Sequence, residues 1–319
     1  MTLTPEILTI YILDLLFLFF AIIAFILSLQ ILKSWNFEAT TKLQYSLQMK
    51  SYLGSTIIKY MFYIKLPLFL FFIFTLDKLS FILPGAMCGA GVVNSNEYAT
   101  VLLFLKLINL YLFAYWIVLD KLDMQDEQQR YLKQKFTIFI ALFTLLVLEI
   151  VLEYIMFSSI DVKDVVDCCG TIFSTNDNTY LSKALSLSPR ILLSLFYMNF
   201  SLLVLSAIFR MRYIFSLLNL LFIFISLLSL VAFFGTYIYE LPTHHCPFCF
   251  LQQEYSYIGY FLYGVLFIGT FNGLVVGFVE FSKKEISRHY RVSMFFNLMY
   301  IIVVTLYPIL FFIRNGVWL

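Results

Sequence analysis

The stretch ILTIYILDLLFLFFAIIAFILSLQIL (7–32) carries a single charge, Asp14. It shows no alternation of period two and is too long for a barrel strand, so it predicts a helix. About 20 apolar residues cross the hydrocarbon core of a bilayer. A helix satisfies every backbone group internally, as that medium requires. Seven further segments have the same character, at about 60–80, 98–119, 136–157, 190–209, 213–239, 257–280 and 293–313. The expected fold is all-α: a polytopic membrane bundle of about eight helices, read as one transmembrane domain over 1–319.

Composition agrees. The chain is 62% hydrophobic and 13% charged, with a mean hydropathy of +0.91. Soluble domains are roughly half apolar and about one-quarter charged. A net charge of +2 without a basic patch argues against nucleic acid. No Walker sequence is present, so no ATP site is expected.

Lysine and arginine set the expected orientation. Fourteen flank one side of the predicted spans, including Lys33, Arg130, Arg210 and Lys283, and five flank the other. The positive-inside rule places the fourteen in the cytoplasm and both termini on the opposite side. The predicted location is multi-pass integral membrane, the inner membrane if the host is bacterial. The first span reads as uncleaved, because no basic residue precedes it.

All five cysteines then fall in the three predicted outer loops, 81–97, 158–189 and 240–256. Cys88 sits in PGAMCGAGVV (84–93), Cys168 and Cys169 in VVDCCGTIF (165–173), and Cys246 and Cys249 in ELPTHHCPFCFLQQEY (240–255). The last stretch also holds His244 and His245, two of the three histidines. Thiolates and imidazoles suit Cu(I) or zinc rather than calcium or magnesium. The expected metal ligands are therefore Cys246, Cys249, His244 and His245, with Cys88, Cys168 and Cys169 as additional donors. Glu254 is a candidate acceptor behind a ligand histidine. Two other readings stay open. Cys246-x-x-Cys249 has the form of a thiol–disulfide exchange pair, and would be catalytic only in that case. The cysteines would otherwise be structural staples, though an odd count leaves one over.

The CPFC turn with a second outer cysteine pair is similar to quinone-linked disulfide oxidases and to vitamin K epoxide reductase relatives. The resemblance covers those motifs alone, since those enzymes have four or five helices. It implies a quinone as acceptor for the redox reading. For either chemistry the expected partners are the lipid bilayer and an extracytoplasmic metal- or thiol-exchange protein.

Charged groups inside the spans form a second signal. Asp14, Lys106 and Glu149 fall ~10–12 Å below the outer surface at ~1.5 Å per residue, with Glu153 one turn above Glu149 on the same helix face. They predict a buried polar cluster. Lys65 reads as lying at the cytoplasmic end of its span, free to snorkel. GTFNGLVVG (269–277) repeats glycine at every fourth position, which predicts close helix packing.

Overall fold

The computed structural model describes residues 4–36, 39, 41–126, 128–160, 166, 188–279 and 283–319. Among these every regular element is helical. Eight helices are long and apolar enough to cross a membrane. Only 28–44% of each apolar window is buried, so large side chains such as Leu15, Phe19, Phe104 and Phe224 point outward. Apolar residues on all sides of a helix mark a membrane span rather than an amphipathic surface helix. This is the architecture of an integral membrane protein.

The helices sort into two compact units, Met1–Pro84 with Ser95–Asp164, and Gly85–Asn94 with Val165–Leu319. The first holds α1 (Pro5–Ser34), α2 (Lys42–Ser80), α4 (Glu97–Gln125) and α5 (Leu132–Ser159). α1 packs on α2 and α5, and α4 packs on the same two, closing a four-helix ring. Thr4, Thr41 and Asn96 cap three of the helices by accepting backbone N–H bonds from Ile7, Gln44 and Tyr98. Phe62 stacks on Phe113 with centroids 4.2 Å apart, and Trp116 meets Phe62 edge-on. The Trp116 indole donates to the Lys135 carbonyl at 2.9 Å.

α2 starts well before the apolar segment that announced it, at Lys42 instead of near position 60. Its first half, LQYSLQMKSYLGST (43–56), is helical but too polar to register as a span. Lys65 is therefore mid-helix and 5% exposed, and does not snorkel. Its Nζ lies 2.7 Å from Asp14 Oδ1 and 3.3 Å from Glu149 Oε1. Lys106 Nζ lies 2.9 Å from Glu149 Oε1 and 2.7 Å from Glu153 Oε2. Asn109 Nδ2 donates to Glu149 Oε2 at 2.6 Å. Asp14, Lys65, Lys106, Asn109, Glu149 and Glu153 thus form one buried polar cluster. Near the other end of this unit, Lys135 is buried between Asp120 (3.0 Å) and Asp123 (2.6 Å). Asp120, Asp123 and Lys135 are all interior.

The second unit holds the short helix α3 (Gly89–Asn94) and four long elements. These are α6 (Pro189–Ile208), α7 (Arg212–Ser229), α9 (Ile258–Phe278) and α10 (Lys283–Asn315). α7 continues through a π-helical turn, Leu230–Phe234, into α8 (Gly235–Tyr239), and the whole run is one span. α9 packs between α7 and α10, while α6 packs on α7 and touches α10. The glycine stripe of α9 faces polar side chains: a Cβ on Gly273 would overlap the Asn219 amide, and one on Gly269 the Asn297 amide. Asn219 Oδ1 accepts from Asn297 Nδ2 at 2.9 Å and from Ser293 Oγ at 3.3 Å.

Candidate metal centre

The described site lies in the second unit and is built by Cys88, the residue before α3, and the connector between α8 and α9. Glu240 takes a left-handed conformation (φ 55°) and ends α8. The connector then doubles back through two 3-10 turns, Cys249–Leu251 and Gln253–Tyr255. Aromatic contacts and hydrogen bonds fix it. Tyr239 stacks on Phe250 with centroids 4.7 Å apart and planes 3° from parallel. The Tyr239 hydroxyl donates to the Cys246 carbonyl, and that of Tyr263 to the Pro247 carbonyl at 2.8 Å. Gly259 lets α9 press on this turn: an added Cβ there would stand 2.9 Å from Phe250 Cβ. Gln252 Nε2 donates to the Met87 carbonyl at 3.1 Å, which joins the connector to the Cys88 segment.

These contacts bring three sulfurs together. The Sγ atoms of Cys88, Cys246 and Cys249 lie within 4.8 Å of one another, and all three residues are buried. Cys88 and Cys246, 158 positions apart in the chain, have sulfurs 3.5 Å apart. A disulfide needs about 2.05 Å, so these two are not bonded to each other. Cys88 follows the second long helix and Cys246 the sixth, so a chain that crosses at every span places both at one end.

The histidines do not join them. Among the described residues the donor group is three sulfurs only. His245 turns away, with Nδ1 3.1 Å from the Val231 carbonyl in the π-helical turn. His244 packs edge-on against Tyr239, centroids 4.4 Å apart, and its buried Nε2 has no hydrogen-bond partner. Glu254 is exposed in the second 3-10 turn. Burial raises the Tyr255 phenol above its ordinary pKa, and the nearby Cys249 and Glu254 add to the effect. Cys168 and Cys169 lie outside the described residues.

Three buried thiols converging in this way can hold a metal ion. Metal–sulfur bonds of about 2.3 Å set the sulfurs of a planar three-coordinate site about 4 Å apart. The observed separations, from 3.5 Å up to a limit of 4.8 Å, bracket that value. Comparison with known protein families, curated proteins and solved structures finds no match to this chain.

Proposed function

We propose that this membrane protein binds a soft transition-metal ion, first of all Cu(I), through Cys88, Cys246 and Cys249. The reading rests on one observation: three buried sulfurs from two distant segments lie within 4.8 Å of each other. Thiolate donors favour Cu(I), zinc and iron–sulfur centres. Structural zinc takes four ligands; among the described residues the donor group is three sulfurs with no imidazole in it, a set that fits Cu(I) better. The lysine and arginine asymmetry supports a position for this end of the bundle outside the cytoplasm. There the protein would exchange its ion with an extracytoplasmic carrier.

The test uses full-length protein, reduced, in detergent, loaded with Cu(I) and freed of excess metal. We expect about one copper per chain, with sulfur-only coordination by X-ray absorption. Cys246→Ser should weaken binding by at least about 10–100-fold, because losing a ligand costs no less than losing its support. His244→Ala and His245→Ala should leave it unchanged. Equal copper retention in Cys246→Ser removes the proposal.

A second reading is thiol–disulfide exchange, and the 3.5 Å contact between Cys88 and Cys246 favours it. These two, rather than the Cys-x-x-Cys pair, would form the bond, releasing two protons and two electrons to a quinone or a partner disulfide. A cross-linked Cys88–Cys246 peptide from oxidised protein, absent after reduction, would support this reading.

A further inference from the structure

The buried charges of the first unit do not balance. Asp14, Glu149 and Glu153 face only two cations, Lys65 and Lys106, and none of the five is more than 7% exposed. Fully ionised, the cluster carries one surplus negative charge at bilayer depth. Such a charge is costly, and the usual relief is a bound proton.

Hydrogen bonding identifies the residue that holds it. Glu149 is held by Lys65, Lys106 and Asn109. Asp14 accepts from Lys65 at 2.7 Å. Glu153 receives one donor, Lys106, at Oε2, and its Oε1 is buried with no partner. An ionised oxygen without a donor is the least stabilised atom of the set. The groups facing Glu153 are Asp14 and Tyr11 on α1, Lys65 on α2, Lys106 on α4 and Glu149 on its own helix. The Tyr11 hydroxyl is also buried without a partner, and Tyr154 lies beside it. A cavity of about 20 Å³ touches Lys65, Lys106 and Glu149, room for about one water. A metal ion there would face two ammonium groups and few free oxygens, whereas a proton needs one acceptor.

We propose that Glu153 is an intramembrane proton-binding site. It is a neutral carboxyl at neutral pH, protonated on Oε1, next to the Lys106 ammonium. The ligand is the proton itself, and the Tyr11 hydroxyl, buried without a partner, is a polar group that faces the same carboxyl.

The experiment compares full-length wild type, Glu153→Gln and Glu149→Gln in lipid nanodiscs. Infrared spectra at neutral pH should show a protonated-carboxyl C=O band that is absent in Glu153→Gln and lost from wild type when the pH is raised. Glu149→Gln, which also removes the surplus charge, should lose the band too, but it strips the acceptor from Lys65, Lys106 and Asn109 and should therefore lower the Tm. Gln mimics a neutral acid, so Glu153→Gln should keep the wild-type Tm to within a few degrees. No protonated-carboxyl band in wild type overturns the proposal. So does a band that survives in Glu153→Gln, or a Glu153→Gln protein that fails to fold.

Discussion

Lys65→Met is expected to lower the Tm of the first unit by about 6–20 °C. Removing one partner from a buried ion pair costs about 3–5 kcal/mol, because the other charge is left stranded. At this chain size each kcal/mol shifts Tm by about 2–4 °C. Lys65 is the cation within 2.7 Å of Asp14 and also touches Glu149, and its ring neighbour Phe17 offers no replacement charge. Adding Asp14→Asn should recover part of the loss, since a coupled pair deviates from additivity by about 0.5–3 kcal/mol. Thermal melts of the single and double variants decide it. A Lys65→Met protein with the wild-type Tm would mean that these distances carry no energetic weight.

Gly273→Ala should damage the second unit comparably. The added methyl would overlap the Asn219 amide, which cannot move aside freely. Its Nδ2 donates to the Phe215 carbonyl at 2.8 Å and its Oδ1 accepts from Asn297 and Ser293. Overpacking costs about 1–3 kcal/mol, and each buried polar group left unpaired about 1–3 kcal/mol more. The expected sum is about 3–5 kcal/mol, read as a fall in Tm and loss of monodisperse protein on gel filtration. Asn219→Ala in the same chain vacates the space and should restore part of the Tm. Full stability of Gly273→Ala alone would refute close packing of α7 on α9.

The spans were legible because their physical requirement is simple: about 20 apolar residues in a row. Where a helix runs on into a polar environment that requirement lapses. α2 and α10 accordingly begin at Lys42 and Lys283, well ahead of the apolar segments that start near positions 60 and 293. The misplacement of Lys65 follows from this. It lies deep within α2, about 35 Å along the axis from Lys42, instead of near an end. Charge counting would have found it, since three buried acids beside one lysine ask for a second cation. The meeting of Cys88 with Cys246 and Cys249 was expected from the shared parity of their connectors. The orientation of His244 and His245 was not. Their residue type suggests a ligand, but where they point depends on the left-handed Glu240 and on the packing of Tyr239, which no local pattern encodes. Glu149 and Glu153 at i, i+4 were readable as one helix face, whereas the choice of partner on each facing helix was not.

The aromatic wall around the thiols bears on time as much as on affinity. Cys88 and Cys246 are 0% exposed and Cys249 is 5% exposed. An ion seated there meets no solvent and can depart only while the turn over it is transiently lifted. Dwell time then follows how firmly Phe250 is clamped between Gly235 and Gly259. Loosening that clamp would hasten release while every donor atom stays in place.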